Sequence, residues 1–148
     1  MIDYKINNRT NAIIYDGVGG SIIFEGDNTI YVPNLLPTII IKRNCINYGC
    51  TYEGRLKNTE ILTKYKYKAP ILVRELGNII FFPTNSPRLK DCCWINLNNI
   101  SKYYKYNNMI RIVFLDNIFI DIDVSFYVIN NQFLRATNFA DKLRKNNV

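Results

Sequence analysis

Two stretches decide the fold class: Thr38-Ile39-Ile40-Ile41-Lys42-Arg43 and Thr59-Glu60-Ile61-Leu62-Thr63-Lys64-Tyr65. Both are short apolar runs with polar ends, a pattern that predicts strands. Between them lies Tyr48-Gly49-Cys50-Thr51-Tyr52-Glu53-Gly54-Arg55, polar and bearing two glycines, which predicts a loop. On the N-terminal side, residues 12–15 and 21–25 flank the glycine-rich turn Asp16-Gly17-Val18-Gly19-Gly20. That turn lacks the Gly-Lys-Ser/Thr ending of a phosphate-binding loop and joins two strands, so it is a hairpin. Residues 29–32 form a further strand, stopped by Pro33 and Pro37. On the C-terminal side, residues 71–73 and 78–82 make a hairpin around Glu75-Leu76-Gly77. An irregular segment, residues 84–91, then leads to Cys92-Cys93-Trp94-Ile95. Residues 99–106 alternate tyrosine and lysine as a strand, and residues 111–115 and 118–122 form a hairpin turned by Asp116-Asn117. Short connections without helical crossovers favour antiparallel pairing.

The period changes near the C-terminus. Phe126, Ile129, Phe133, Ala136, Ala140 and Leu143 recur at three and four residues, with Asn130, Asn131, Arg135, Asn138 and Lys142 between them. This is an amphipathic helix of about 18 to 20 residues. Ser125 or Asp123 caps it, and Lys142, Arg144 and Lys145 suit the negative end of its dipole. Its apolar stripe packs on the sheet; the near-heptad spacing also suits dimerisation. The expected class is α+β, mainly antiparallel β with one C-terminal amphipathic helix, in a single domain over residues 1–148.

Composition narrows the function. Of 148 residues, 48% are hydrophobic, enough for a core. No apolar run approaches the roughly 20 residues that cross a bilayer. The Met1-Ile2-Asp3-Tyr4-Lys5 start has no secretory pattern, so a cytoplasmic protein without membrane contact is expected. Histidine is absent, which removes Ser-His-Asp and Cys-His nucleophile pairs and most catalytic zinc sites. The closest carboxylates, Asp121 and Asp123, sit at a strand end, so no enzyme, catalytic residue or cofactor is expected. Cys45 and Cys50 have four residues between them, a loose metal-ligand spacing. Cys92 and Cys93 are adjacent and point to opposite faces of an extended chain, so free thiols are expected rather than zinc.

The net charge of +7 is localised. Asn, Ile, Lys and Tyr dominate as in a low-GC genome, so position is more informative than total. Residues 1–41 carry two basic and four acidic residues, residues 42–111 thirteen and four, and residues 112–148 four of each. The excess is confined to the middle, interleaved with Tyr48, Tyr52, Tyr65, Tyr67, Tyr103, Tyr104 and Tyr106. Such a mixture suits nucleic acid better than an acidic protein.

The same middle region resembles a known family. Cys45, Tyr48-Gly49 and Tyr52-Glu53-Gly54-Arg55 are similar to the Cys-x-x-x-Gly-x-x-Tyr-x-Gly-Arg stretch of ComK proteins. Lys68-Ala69-Pro70-Ile71-Leu72-Val73 resembles the family's Lys-x-Pro-Ile-x-Val. Phe82-Pro83-Thr84-Asn85-Ser86 and Cys92-Cys93-Trp94-Ile95 resemble its Phe-Pro-Thr-x-Ser and Cys-x-Trp-Ile elements, as do Asn131-Gln132 and Arg135 in the last helix. The resemblance covers residues 38–143. It implies a transcriptional activator of DNA-uptake genes that binds AT-rich double-stranded DNA as a homo-oligomer through the minor groove, with RNA polymerase as a candidate partner. Full-length members of the family that it resembles can carry a further C-terminal tail, tied to capture by a degradation adaptor of the MecA/ClpC type. That partner is doubtful for a chain ending at Val148.

Minor-groove reading needs arginines on slim loops. Gly54-Arg55 with Lys57 fits, and Arg55 is the first candidate; its alternative role is a structural pair with Glu53 or Glu60. Arg43, Arg88 and Lys90 are candidates for groove entry or phosphate contact, and Lys64, Lys66 and Lys68 for phosphates, unless they form a solvated strand face. Trp94 and Phe81-Phe82-Pro83 belong to the core. Two rival functions stand beside DNA recognition: a shortened ComK-like interaction protein working through mixed oligomers, and a β module for single-stranded nucleic acid whose tyrosines stack bases.

Overall fold

The computed structural model describes residues 3–146. Its elements run β1 (Thr10–Tyr15), β2 (Ser21–Glu25), β3 (Asn28–Val32), α1 (Pro37–Asn47), α2 (Tyr52–Thr63), β4 (Ile71–Arg74), β5 (Ile79–Pro83), β6 (Trp94–Asn96), β7 (Ile100–Tyr106), β8 (Met109–Phe114), β9 (Phe119–Ile122) and α3 (Phe126–Asn146). All pairings are antiparallel. They build a six-stranded sheet, ordered β3-β2-β1-β6-β5-β4, and a three-stranded sheet, ordered β7-β8-β9.

Strand alternation sorts the large sheet into two buried faces. Ile13, Ile23, Ile71, Val73, Ile79, Phe81 and Trp94 pack with Ile40, Ile41 and Cys45 of α1 and Tyr52 of α2. On the opposite face Ala12, Phe82 and Ile95 meet Ile110, Ile112, Phe114, Ile120 and Ile122 of the small sheet, with Ile129 and Ala136 of α3. Farther along α3, Phe139 and Leu143 close over Leu72 and Ile80. Burial on both faces explains why β5 reads as an unbroken apolar run.

The expected class is corrected by this arrangement: the protein is mixed α/β, with two antiparallel sheets and three helices rather than one. The two stretches read as strands, 38–43 and 59–65, lie within α1 and across the C-terminal end of α2. In α1, Pro37 opens the first turn, where its missing N–H is harmless. Ile40, Ile41, Asn44 and Cys45 then face inward at helical spacing, while Ile39 and Ile46 are exposed. Burial of that face overrides the strand preference of three consecutive isoleucines. In α2 the residues read as loop form the first turn. Thr51 caps it, its Oγ1 accepting from the Gly54 N–H at 3.0 Å. The buried stripe of α2 is Tyr52, Arg55 and Thr59, an aromatic, a cation and a hydroxyl, so no apolar period marks it. Lys64, at φ 66°, ends the helix in the left-handed region.

The C-terminal helix lies where its periodicity places it. Ile129, Ala136 and Leu143 are buried against the sheets, while Phe126 at the start of the same stripe is exposed. Replacing Thr51 with alanine should lower unfolding stability by about 1 kcal/mol in urea titration, with Thr51→Ser close to neutral. Equal stability of Thr51→Ala and wild type would contradict the capped helix.

Candidate nucleic-acid interface

Four chain segments meet around a concavity of about 620 Å³. From α1 come Thr38 and Lys42, one helical turn apart and therefore on one face. From α2 come Tyr52 and Leu56. The connection between α2 and β4 supplies Lys66, Tyr67, Lys68 and Ala69, and the loop between β5 and β6 supplies Ser86, Pro87 and Arg88. No carboxylate lines it among the described residues. The Lys42 ammonium stands 5.3 Å from the Tyr52 ring centre, a cation–π contact that fixes its stem while its charge stays at the rim. Lys66, Lys68 and Arg88 are exposed, and Tyr67 is 81% exposed beside them.

Neither loop belongs to a ladder; side chains hold the first, and side chains together with turn bonds hold the second. In the α2–β4 connection, Thr59 Oγ1 donates to the Pro70 carbonyl at 2.7 Å. Gln132 Nε2 donates to the carbonyls of Lys68 and Pro83, both at 2.8 Å. Arg135 donates to the carbonyls of Tyr67 at 2.7 Å and Lys68 at 3.3 Å, its guanidinium 4.5 Å from the Tyr65 ring centre. Burial pulls that guanidinium below its ordinary pKa. In the β5–β6 loop the Leu89 N–H donates to the Ser86 carbonyl at 3.0 Å. Asn85 Nδ2 donates to Asp91 Oδ1 at 3.0 Å. The turn so closed presents Arg88, Leu89 and Lys90 outward.

The residues expected at the site fall into three groups. Lys66, Lys68 and Arg88 come together at the concavity, with Lys90 exposed in the same loop as Arg88 and Lys64 at the end of α2. Arg43 lies on α1, 3.4 Å from Asp3, and Lys57 on α2, 4.0 Å from Glu60, so each has a carboxylate beside it. Arg55 is 6% exposed, on a helix rather than a slim loop. Its Nη1 lies 3.4 Å from Glu75 in the β4–β5 turn, in place of the Glu53 or Glu60 pair expected of a structural arginine. Lys42 was not among the expected residues. Its signal is the four-residue spacing from Thr38, which has meaning only on a helix.

The remaining ionisable and thiol groups form no catalytic or metal-binding cluster among the described residues. Arg111 binds Asp121 through Nε at 2.9 Å and Nη2 at 3.0 Å, holding that carboxyl below its usual range. All four cysteines are free, and burial pushes the Cys45 and Cys92 thiols up to about 12. Among the described residues no cluster of three His, Cys, Asp or Glu side chains could hold a metal ion, and no helix is long and apolar enough to cross a membrane.

Comparison with known proteins agrees with the family named by the sequence motifs. The sequence model of the family described as ComK protein matches residues 2–147. The competence transcription factor of Bacillus subtilis (strain 168) is 29% identical over 148 residues, covering 95% of this chain and 77% of that protein. No solved structure matches.

In the folded protein at pH 8, Cys45 and Cys92 should resist a thiol reagent that modifies them fully in denaturant, because each is buried and neutral. Mass mapping of the labelled cysteines checks this.

Proposed function

The chain belongs to the ComK family, and from that premise we propose that it is a transcription factor that binds AT-rich double-stranded DNA with the basic concavity. It is not an enzyme. One observation carries the choice of surface: Lys42, Lys66, Lys68 and Arg88, from three separate segments, converge on a concavity that no carboxylate lines among the described residues. Phosphate neutralisation by such cations supplies affinity and releases counterions, whatever the sequence.

Selectivity needs a group that enters the groove. Narrow AT tracts concentrate negative potential in the minor groove and attract arginine there. Arg88 is the arginine of this surface placed for that task. It is exposed, at the tip of a turn closed on itself, between Pro87 and the exposed Leu89. Lys66 and Lys68 contact phosphates from the facing loop, and Lys64 and Lys90 extend the surface. Arg43 and Lys57 join only by leaving Asp3 and Glu60. Arg55 acts from inside, keeping α2 on the β4–β5 turn. Homo-oligomerisation would let the protein span repeated sites, competence genes are its targets, and RNA polymerase is its partner at promoters. The name of the Bacillus subtilis relative supports the gene class.

Fluorescence anisotropy on AT-rich and GC-rich duplexes of equal length, across a salt series, tests the reading. The AT-rich duplex should bind more tightly, a minor-groove drug should compete, and affinity should fall steeply with salt. Arg88→Ala should cost about 1–3 kcal/mol on the AT-rich duplex and remove the preference. Lys66→Ala and Lys68→Ala should weaken both duplexes alike, each reducing the salt slope by about 1. Arg55→Ala should lower stability first. Equal, weak binding to both duplexes would leave a mixed-oligomer interaction protein as the better reading. A preference for single strands, lost in Tyr67→Ala, would favour a base-stacking module.

A further inference from the structure

The two sides of the basic concavity are far apart in sequence. Residues 64–70 carry Lys66 and Lys68, and the β5–β6 loop carries Arg88. One buried side chain bonds to both segments. Gln132 of α3 is 1% exposed, and its amide nitrogen donates to the Lys68 carbonyl on one side and the Pro83 carbonyl, at the root of the Arg88 loop, on the other. Its Oε1 accepts from Arg135 Nη1 at 2.7 Å. Arg135 continues to the Tyr67 and Lys68 carbonyls.

We infer that Gln132, braced by Arg135, is a positioning residue that fixes the separation between the lysine side and the arginine side of the concavity, and so sets its preference for AT-rich duplex. This rests on the reading of the concavity as the DNA surface. A primary amide offers two N–H groups at a fixed angle, so two carbonyls bound to it keep a fixed spacing. Releasing the Pro83 carbonyl would leave a donor and an acceptor unmet in a buried place, and releasing the Lys68 carbonyl would leave an amide donor unmet. Lys68 is at φ 50°, a left-handed conformation uncommon for a lysine, and its carbonyl accepts from both Gln132 and Arg135. Lysine contacts to phosphate tolerate displacement because the four-carbon stem flexes. Insertion of an arginine into a narrow groove does not. Loss of the brace therefore acts on selectivity more than on general affinity.

Gln132→Leu keeps the approximate size of the side chain and removes both donors. Arg135→Lys keeps the charge and removes the fork, on a partly exposed residue. Both variants and wild type are titrated against the AT-rich and GC-rich duplexes at one salt concentration, after thermal unfolding confirms the fold. Gln132→Leu should lose about tenfold in affinity for the AT-rich duplex, with its GC-rich affinity changed less than about twofold, and Arg135→Lys should shift the ratio the same way by about threefold. Should Gln132→Leu fail to fold, Arg135→Lys decides. An unchanged ratio in the folded variants, or equal loss on both duplexes, overturns the positioning role while wild-type selectivity stands. A wild type without selectivity removes the DNA reading and this inference with it.

Discussion

An indole N–H sealed away from water has to find an acceptor, and much of this structure is arranged around that requirement. Trp94 is fully buried, and its Nε1 donates to Thr38 Oγ1 at 2.9 Å. Leaving such a donor unmet costs roughly 1–3 kcal/mol, so the bond fixes where α1 sits on the sheet. Tyr52 of α2 stands edge-on to the same indole, ring centres 6.3 Å apart. Trp94 belongs to β6, only three residues long, which pairs with β1 on one side and β5 on the other. The next residues extend the constraint. Ile95 joins the opposite core, and Asn96 Nδ2 donates to the Thr10 carbonyl at 2.9 Å. Thr38 also lines the basic concavity, with Lys42 one turn farther on. The position of a surface cation is thus traceable to a hydrogen bond in the core.

Buried polar side chains do for the irregular segments what ladders do for the strands. Asn44 accepts from the Ile6 N–H at 2.7 Å and donates to the Tyr4 carbonyl at 3.0 Å, fastening the N-terminal arm to α1. Thr59 and Gln132 do the same for the loop bearing Lys66 and Lys68. Backbone groups that leave regular structure still need partners, and here amides and hydroxyls provide them. The result is a set of loops held to the scaffold, among them the two that border the basic concavity.

The sequence was legible wherever a period matched an element. β1, β2, β4, β5, β8 and β9 follow from apolar runs bounded by Gly, Pro, Asn or Asp, and α3 follows from its three-to-four spacing. It misled where composition and environment disagree. Ile39, Ile40 and Ile41 look like a strand because the residue that turns outward, Ile39, is as apolar as its neighbours. Tyr52, Arg55 and Thr59 hide a helix because its inner face is polar. That error had a consequence for the site. Arg55 reads as a loop residue and is inside a helix, while Lys42 gives no signal because its alignment with Thr38 exists only in helical geometry. Lys66, Lys68 and Arg88 stand out by charge alone, a signal that does not depend on the neighbouring secondary structure, and the fold brings them to one concavity.

The place of β6 in the sheet also orders events during synthesis. Ile13 pairs with Trp94 and Ala12 with Ile95, so the middle of the large sheet closes between segments separated by most of the chain. Before Trp94–Asn96 leaves the ribosome, β1 and β5 each present an unpaired edge, and α1 has no indole to meet Thr38. Open edges of this kind invite pairing with other chains. A nascent chain halted before β6 is therefore a sticky pair of half-sheets. The basic concavity, whose α1 rests on Trp94 and whose 64–70 loop is held by Gln132 and Arg135, is assembled only after both β6 and α3 have been made.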